Sequence, residues 1–345
     1  MQTILVTGAA GYIGSITSDL LLSRGYRIIA IDNLSRGYVE AIEYLQKKHG
    51  TDQLTYYQGD LTAGIAEDVL SAHPEIVACI HFAALLNVGE SWKIPEVYEK
   101  NNVGGTRRLL DSLIAHQVKK IVFSSSCTVY GNAQYLPIDE NHPIADPVTP
   151  YGKTKRACEI LLADLAQSQA LQYISLRYFN VCGASDDGAI GDSKDPSFHL
   201  VQNAVRSALG IAPFELNYAQ VNTPDGSPIR DYVNVVDLAD AHEKAILWLL
   251  DHQSGSEILN IGTGTGNSVH EIVTTVKQLT GKDFAVGTSS DRRQDEADKM
   301  IASNAKAEKV LGWIPTHTLS DSVKSLITWY TKYPKGWKEN VERRV

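Results

Sequence analysis

A glycine-rich loop near the start of the chain places the strongest constraint on its fold. Gly8-Ala9-Ala10-Gly11-Tyr12-Ile13-Gly14 follows an apolar run and opens a segment with helical periodicity. Glycines at a strand-to-helix junction allow a tight turn and close approach of a ligand, and the free N–H groups of the helix favour a pyrophosphate. The loop therefore predicts a dinucleotide site. Because its spacing is GxxGxxG and not GxGxxG, glycines that serve only the turn are the alternative.

Short apolar runs alternate with segments of helical length up to about residue 180. This order is typical of βαβ units around a parallel sheet, so we predict an α/β fold with a Rossmann-type doubly wound parallel sheet. The predicted strands are Thr3–Thr7, Arg27–Ile31, Leu54–Gln58, Ile76–Phe82, Lys119–Ser124 and Gln172–Leu176. The predicted helices between them are Tyr12–Arg24, Val39–Lys48, Pro95–His116 and Lys153–Ala170.

The regular alternation ends after Asn180, where glycine, aspartate and proline crowd one stretch and indicate a loop. Periodicity returns in two helical segments, 236–250 and 269–279, with a short strand at 257–261 between them. We therefore predict an NAD-binding Rossmann domain over 1–180 and, over 181–345, mainly a smaller C-terminal α/β substrate-binding domain. Segments at about 231–260 are expected to return to the first domain.

Composition excludes several classes of function. The formal net charge of −8 argues against nucleic acid as a partner, because a nucleic-acid binder needs clustered Lys and Arg. The four cysteines show no metal-ligand spacing, so no metal site is predicted. The chain begins without a signal-peptide pattern and holds no apolar run long enough to span a membrane. We expect a cytoplasmic protein without a membrane partner.

An acidic residue ends the second predicted strand and points to the type of dinucleotide. Asp32 stands where a carboxylate accepts hydrogen bonds from the adenosine ribose 2′-hydroxyl and repels a 2′-phosphate, which favours NAD over NADP. Arg36 lies close enough to oppose this preference, although an arginine in a loop is more often simply solvated. Asp60, after the third strand, is expected either near the adenine or as the cap of a short helix or turn.

A Tyr-x-x-x-Lys motif starts a predicted helix after Pro150. Residues four apart share a helix face, so Tyr151 and Lys155 are expected to point into one site. A free phenol is a poor base at neutral pH, but a nearby ammonium and an oxidised nicotinamide both favour the phenolate. Ser126, near the end of the fifth strand, is our choice for a hydroxyl on the same substrate oxygen, with Thr128 second. Together these residues predict general acid-base chemistry.

With these motifs in this order, the chain resembles the extended short-chain dehydrogenases/reductases, and in particular the UDP-glucose (UDP-galactose) 4-epimerases, over nearly its whole length. Further matching runs are His81-Phe82-Ala83-Ala84, Val88-Gly89-Glu90-Ser91, Asn101-Asn102-Val103-Gly104-Gly105-Thr106, Val129-Tyr130-Gly131, Leu176-Arg177-Tyr178-Phe179-Asn180, Arg230-Asp231-Tyr232 and Asp237-Leu238-Ala239-Asp240-Ala241-His242.

The resemblance implies an isomerase of galactose and nucleotide-sugar metabolism that holds NAD tightly and recycles it within each turnover. Tyr151 would remove the proton of the sugar 4-hydroxyl while C4 gives hydride to the nicotinamide. The resulting 4-keto sugar would rotate and take the hydride back on its other face. Ser126 would polarise the 4-oxygen, and Lys155 would hold the nicotinamide ribose and lower the pKa of Tyr151. The implied substrate is a UDP-hexose, namely UDP-glucose or UDP-galactose. Their N-acetyl forms are the alternative substrates.

The resemblance also assigns binding positions. The expected cofactor contacts are Gly8, Gly11, Tyr12, Ile13, Gly14, Asp32, Asn33, Asp60, Leu61, Phe82, Ala83, Ala84, Asn101, Ser124, Tyr151, Lys155 and Tyr178. The expected substrate contacts are Ser126, Thr128, Asn180, His199, Leu200, Asn217, Arg230, Arg293, Glu296 and Met300.

The chain departs from the family pattern at the nucleotide-sugar end. The usual Arg-Arg-x-Gly-Asp reads Arg-Arg-Gln-Asp-Glu at 292–296, so Asp295 adds a negative charge beside a diphosphate. Asn217 falls near the position of an aromatic residue that flanks the uracil, and Met300 at the position that controls room for the sugar C2 substituent. For His199, the alternative to substrate binding is a helix cap or a place in the core. For Arg230, the alternative is a structural salt bridge.

Several other functions remain open from the sequence. On the same fold, a UDP-pentose 4-epimerase, a decarboxylase or a 4,6-dehydratase is possible, although dehydratases place an Asp-Glu pair where Cys127 and Thr128 stand here. The alternative outside the enzymes is a non-catalytic, NAD-sensing protein. Such proteins commonly lose the Tyr or the Lys of the motif, and this chain has both. The helices at 95–116 and 153–170 match the dimer interface of the family and imply a homodimer, but they can equally pack on their own sheet.

Overall fold

The structure, a computed structural model, describes residues 1–144, 147–252, 254–289 and 297–337. Its strands are β1 (Thr3–Thr7), β2 (Arg27–Asp32), β3 (Leu54–Gln58), β4 (Ile76–His81), β5 (Lys120–Ser126), β6 (Gln172–Tyr178), β7 (Asn180–Cys182), β8 (Phe214–Leu216), β9 (Ile229–Asn234), β10 (Glu257–Ile261), β11 (Gly266–Ser268), β12 (Val286–Thr288) and β13 (Lys299–Met300).

The α-helices of this part of the chain are α1 (Tyr12–Ser23), α2 (Val39–His49), α3 (Ile65–Ala72), α4 (Val88–Lys93), α5 (Pro95–Tyr98), α6 (Gly105–Ala115), α7 (Pro150–Gln169), α8 (Leu200–Ala208), α9 (Val235–Asp251), α10 (Val269–Thr280), α11 (Ala305–Leu311) and α12 (Leu319–Lys332). None of them, within the ranges just given, is both long and apolar enough to cross a bilayer.

Seven strands form one parallel sheet in the order β10-β6-β5-β4-β1-β2-β3. All five residues of β1 are buried, because helices cover both faces of the sheet. Side chains alternate along a strand, so Ile4 and Val6 pack on the face covered by α1, α2 and α9, whereas Leu5 packs on the face covered by α3, α6 and α7. The predicted doubly wound α/β fold is confirmed.

The rest of the chain builds a smaller unit around two short sheets. β9 pairs with β7, β11 and β13, and β8 pairs with β12. Helices α8, α10 and α12 pack over a separate apolar core that contains the fully buried Trp329. The chain then crosses back, since α9 packs on α1 and β10 forms the edge of the large sheet beside β6. This return starts at Val235, because β9 itself stays in the smaller unit.

Two predicted helices differ from the observed ones. The segment predicted as one helix over 95–116 is divided, because a π-helix at Glu99–Gly104 separates α5 from α6. Asn102 lies in this π-helix, and its side-chain amide bonds both the N–H and the carbonyl oxygen of Leu85, at 2.8 and 3.0 Å. Helix α7 begins earlier than predicted, since the Thr149 hydroxyl caps it by accepting from the Gly152 N–H at 3.1 Å.

Candidate active site

A cleft of about 1270 Å³ opens at the carboxyl ends of β1, β4, β5 and β6 and continues to residues of the smaller unit. This is where ligands bind in open α/β sheets, since the loops that leave the strands converge there. Every predicted site residue that falls in the described ranges lines this cleft. Arg293 and Glu296, together with the departure at Asp295, lie outside the described residues.

The glycine loop forms one wall of the cleft and allows no side chains at two of its positions. Gly8 has a φ of +73°, and a Cβ there would lie 2.7 Å from the backbone nitrogen of Ala83. A Cβ on Gly14 would overlap the carbonyl oxygen of Gly8. Helix α1 begins at Tyr12, within the loop, and its first residues line the cleft, so their free N–H groups are available there. This is the geometry of a pyrophosphate cradle.

Asp32 lies beside this loop and ends β2. Its carboxylate accepts hydrogen bonds from the N–H groups of Ala10 at 3.0 Å and Leu34 at 2.8 Å, and burial raises its pKa above the ordinary value. Arg36, the residue that would favour a 2′-phosphate, forms an ion pair with Glu90 at 2.5 Å. Its charge is therefore partly neutralised, and the Asp32 carboxylate is suited to accept from a ribose hydroxyl.

Asp60 occupies both of its predicted settings. It lines the cleft, and it also caps the short 3-10 helix Leu61–Ala63 by accepting from the Thr62 N–H at 2.7 Å. Asn33 donates to the other carboxylate oxygen at 3.0 Å. Burial alone would raise the pKa of Asp60, but the hydrogen bonds from Thr62 and Asn33 outweigh it and lower that pKa. The carboxylate thus stays ionised and fixed at the cleft wall.

The predicted proton-transfer residues meet in the centre of the cleft. Tyr151 sits in the first turn of α7, and the Ser126 hydroxyl at the end of β5 is close enough to lower the pKa of its phenol. Thr128 lies next to this pair, because its own hydroxyl donates to the Ser126 oxygen at 3.0 Å. A phenol and a hydroxyl therefore share one point, as a group acting on a substrate oxygen requires.

Lys155, one helical turn after Tyr151, is held by the backbone of β5. Its ammonium donates to the carbonyl oxygen of Ser124 at 2.7 Å and lies 5.9 Å from the centre of the Tyr151 ring. The Ser124 hydroxyl in turn hydrogen-bonds the Tyr178 hydroxyl. The Tyr-x-x-x-Lys motif of α7 and the serines that end β5, which are far apart in sequence, are thus connected by hydrogen bonds.

Burial shifts both ionisable groups of this centre toward their neutral forms. It lowers the pKa of Lys155 to about 8, while Cys158 and Glu159 act in the opposite direction. It raises the pKa of Tyr151 well above the ordinary value, and the nearby Tyr178 phenol raises it further, whereas the Ser126 hydrogen bond lowers it. The centre is therefore sensitive to any added positive charge, because such a charge would favour the phenolate.

The predicted positions at both ends of the cleft line its walls. On the dinucleotide side they are Gly8, Gly11, Tyr12, Ile13, Gly14, Asp32, Asn33, Asp60, Leu61, Phe82, Ala83, Ala84, Asn101, Ser124, Tyr151, Lys155 and Tyr178. On the substrate side they are Ser126, Thr128, Asn180, His199, Leu200, Asn217, Arg230 and Met300.

His199 shows how the substrate side joins the dinucleotide loop. Its ring packs at 5.9 Å from the ring of Tyr12, and burial lowers its pKa to about 4, so it is neutral near pH 7. It precedes α8 without a side-chain cap. Met300, which ends β13, is 7% exposed and packs with Cys127 and Phe179 in the wall of the cleft.

Two features of the site were not identified from the sequence. His81 lies behind the glycine loop and bonds the hydroxyls of Thr7 at 2.6 Å and Thr106 at 2.8 Å, and burial lowers its pKa to about 3. Lys194 lines the cleft beside Tyr12 and pairs with the buried Asp192 at 3.2 Å. His81 stands in a matching run, but Lys194 falls in an irregular loop that has no periodicity to mark it.

Comparison with known proteins agrees with this geometry. Residues 4–262 match the model of the NAD dependent epimerase/dehydratase family. The chain belongs to this family. Its relatives include UDP-glucose 4-epimerases of Rhizobium leguminosarum bv. trifolii, 39% identical over 96% of this chain and 98% of theirs, and of Bacillus subtilis, 40% identical over 98% and 99%. The predicted resemblance is confirmed.

Solved members of the family share the whole fold. The UDP-glucose 4-epimerase of Bifidobacterium longum, crystallised with NAD+ and UDP, superposes with a TM-score of 0.90 at 36% identity and covers 97% of this chain and 100% of its own. The enzyme of Brucella ovis, crystallised with NAD, gives a TM-score of 0.87 at 37% identity over 95% and 98%. Family members thus carry NAD on this scaffold.

Proposed function

We propose that this protein is a UDP-hexose 4-epimerase that works with NAD retained between turnovers. The observation that carries the proposal is the Lys155 ammonium, which bonds the Ser124 carbonyl of β5 at 2.7 Å and lies 5.9 Å from the centre of the Tyr151 ring. A phenol, a hydroxyl and an ammonium at one point make a proton-transfer centre for a substrate hydroxyl. The names of the relatives, UDP-glucose 4-epimerases, supply the substrate class.

The residues around the glycine loop fit NAD. Gly8 and Gly14 leave the backbone open to a pyrophosphate, and the start of α1 offers N–H groups to it. The Asp32 carboxylate suits a ribose diol, and Lys155 suits the second ribose. When bound, NAD supplies a reversible hydride acceptor for the sugar carbon.

The proton path follows from the contacts of Tyr151. Its phenolate oxygen accepts the proton that leaves the sugar 4-hydroxyl, and the same phenol returns that proton once the other face of the carbonyl is presented. Ser126, which lines the cleft beside Tyr151, would donate a hydrogen bond to the 4-oxygen and hold it there. Lys155, whose ammonium lies 5.9 Å from the centre of the Tyr151 ring, would favour the phenolate by its positive charge.

The nucleotide end of the substrate is assigned to the smaller unit. Arg230 in β9 supplies a positive charge, while His199 and Leu200 at the start of α8 supply an aromatic ring and a backbone amide. Asn217, which lines the cleft, supplies an amide that suits the polar edge of a base. The flexible Met300 below the sugar leaves room for glucose and galactose and sets a limit on larger C2 substituents.

The test is incubation of the purified protein with UDP-galactose, UDP-N-acetylgalactosamine and UDP-arabinose, each without added NAD, with products resolved by sugar configuration. We expect UDP-galactose to yield UDP-glucose, and the Tyr151→Phe variant to be inactive while it retains NAD. A requirement for stoichiometric external NAD would contradict the recycling mechanism. A deoxy-keto product would indicate a dehydratase, and conversion of UDP-arabinose alone a pentose epimerase.

Assembly, domain division and location are part of the same proposal. We infer a homodimer through α5, α6 and α7, where Val97 and Ile160 are 48% and 46% exposed. Sedimentation should give a dimer that Val97→Asp dissociates, whereas Val286→Asp, a change at an exposed valine of β12, should leave it intact.

We also propose that residues 1–180 together with α9 and β10 bind NAD, that the remainder binds substrate, and that the protein is cytoplasmic with a role in galactose metabolism.

A further inference from the structure

Glu159 is a buried carboxylate close to the proton-transfer centre, although no motif points to it. It lies on α7 one helical turn after Lys155 and two turns after Tyr151, on the same face of the helix. The residue is only 1% exposed. A carboxylate in such a position needs several hydrogen bonds to offset the loss of water.

The partners of Glu159 come from the two strands that carry the rest of the centre. One carboxylate oxygen accepts from the Ser125 hydroxyl at 2.7 Å and from Arg177 Nε at 2.8 Å, and the other accepts from Arg177 Nη2 at 2.7 Å. Arg156, on α7 itself, adds a contact at 3.3 Å. The Arg177 guanidinium is also buried and stacks over the Tyr130 ring at 4.8 Å.

These partners adjoin the residues that face the cleft. Ser125 stands between Ser124 and Ser126 in β5, and Arg177 precedes Tyr178 in β6, while Ser125 and Arg177 are neighbours in the sheet register. Side chains alternate along a strand, so Ser125 and Arg177 point toward α7, where Glu159 binds them. Their strand neighbours, which include Ser126 and Tyr178, face the cleft. The carboxylate therefore connects α7, β5 and β6 at the level of the reacting groups.

We propose that Glu159 is a positioning residue for the reaction, which ties α7 to β5 and β6 and thereby keeps Tyr151 and Lys155 in register with Ser126. The proposal rests on the proposed function. Misplacement of about 1 Å in a catalytic group lowers a rate by about 100-fold, so loss of this connection acts on turnover and not only on stability.

Glu159 also acts on the charge of Lys155. The groups around the ammonium are Tyr151, Cys158 and Glu159 on α7, the neutral His81 on β4 and the Ser124 carbonyl on β5. Of these, Glu159 is the carboxylate that favours the charged ammonium, and Arg177 moderates this effect by its own ion pair. Removing the negative charge thus makes Lys155 easier to deprotonate.

The alternative is that Glu159 and Arg177 are only a buried ion pair of the core. Such pairs contribute little net stability, but removal of one partner is strongly destabilising. This alternative predicts that Glu159→Gln lowers the melting temperature while folded, NAD-loaded protein keeps its kcat and its pH profile. The positioning role predicts a change in both.

The experiment compares the parent with Glu159→Gln, Ser125→Ala and, as a matched control, Glu243→Gln, which alters another buried ion-paired carboxylate outside the cleft. For each NAD-loaded protein, kcat and KM for UDP-galactose are measured against pH. In Glu159→Gln we expect kcat to fall about 100-fold with a KM change within about 3-fold, and the alkaline limb to move to lower pH. Glu243→Gln should show neither change.

A second measurement does not depend on turnover. Ultraviolet difference titration of each variant loaded with NAD, against its equally loaded Tyr151→Phe counterpart, reports ionisation of that phenol, which the oxidised nicotinamide favours. In Glu159→Gln we expect the titration to move to higher pH because Lys155 carries less charge. If the parent lacks epimerase activity, this shift still tests the role of Glu159 separately from the proposed function.

Ser125→Ala covers the case in which Glu159→Gln fails to fold, because it removes one tie to β5 and leaves the ion pair with Arg177 intact. Its kcat should fall about 10-fold with NAD content and melting temperature close to those of the parent. An unchanged kcat in Ser125→Ala, or pH profiles and phenol titrations in Glu159→Gln that superpose on those of the parent, would overturn the proposal.

Discussion

The Lys155 ammonium donates a hydrogen bond to the backbone carbonyl of Ser124 at 2.7 Å, so a side chain of α7 is anchored to the strand that carries Ser126. Lys155 is only 3% exposed, and its ammonium lies 5.9 Å from the centre of the Tyr151 ring. It acts both as a mechanical link between helix and sheet and as the positive charge of the centre.

The pH dependence of turnover follows from this ammonium. Burial lowers the pKa of Lys155 to about 8, so the charged form predominates below that pH and is lost above it. We expect kcat to fall as the pH rises through about 8. Lys155→Met should lower kcat about 100-fold or more and abolish this alkaline limb. Steady-state rates with UDP-galactose check both, and an alkaline limb retained in Lys155→Met would assign it to another group.

Asp32 is expected to control the choice of dinucleotide. Asp32→Asn keeps a side-chain oxygen for the N–H groups of Ala10 and Leu34 but removes the charge that repels a 2′-phosphate. We expect weaker retention of NAD and a preference for NAD over NADP that drops about 10-fold or more. Calorimetric titration of both dinucleotides into stripped protein measures this. Asp60→Asn serves as the comparison, and it should leave the ratio of the two affinities unchanged.

The glycine loop allows a direct steric test. A Cβ on Gly14 would overlap the carbonyl oxygen of Gly8, whereas one on Gly104 would meet nothing within 4 Å and stands in ordinary helical φ. Gly14→Ala should therefore lose bound NAD and lower the melting temperature, and Gly104→Ala should change neither. Absorbance of the released dinucleotide and differential scanning calorimetry give the two values. Retention of NAD by Gly14→Ala would show that the loop adjusts without cost.

His317 predicts a stability effect that depends on pH. Its ring lies between Asp237 at 2.8 Å and Asp186 at 3.2 Å. Burial opposes the charged ring, but the hydrogen bond and charge of Asp237, with those of Asp186, outweigh it and raise the pKa of His317. The folded state then binds the proton more tightly, so the stabilisation is complete below the ordinary histidine pKa of about 6.5 and is lost as the pH rises through the raised value.

The variant His317→Gln should accordingly lower the melting temperature by several degrees at pH 6 and much less at pH 9. His116→Gln is the control, because the His116 pair with Glu67 at 2.9 Å lies at the surface, where such pairs contribute little. Equal losses for His317→Gln at both pH values would contradict a contribution from the charged ring.

Much of the large sheet could be predicted because each of its strands is an apolar run bounded by turn residues. The predicted ends of β1, β3 and β10 agree with the structure, whereas β5 and β6 end two residues later than predicted. The smaller unit resisted prediction, since three-residue strands such as β8 and β12 are defined only by their pairing with each other. Helix α12 was overlooked although Thr318 and Asp321 form a capping box that could have marked its start.

The candidate site divides in the same way. Tyr151, Lys155 and the glycine loop belong to motifs in which neighbours along the chain define the chemistry. His81 and Glu159 act through partners tens of residues away, Thr106 and Ser125 among them, and no local pattern reveals such contacts. The π-helix at Glu99–Gly104 is hidden for the same reason, because it depends on tertiary bonds of Asn102.

The position of β10 at the edge of the large sheet has a consequence for synthesis of the chain. In the chain, β10 follows β7, β8 and β9 of the smaller unit. It nevertheless completes the large sheet, whose first strand in the sequence is β1. During translation the ribosome must therefore release Ile261 before β6 acquires its second neighbour. Until then the nascent protein exposes an open strand edge, which is the moment at which a chaperone would be of greatest use.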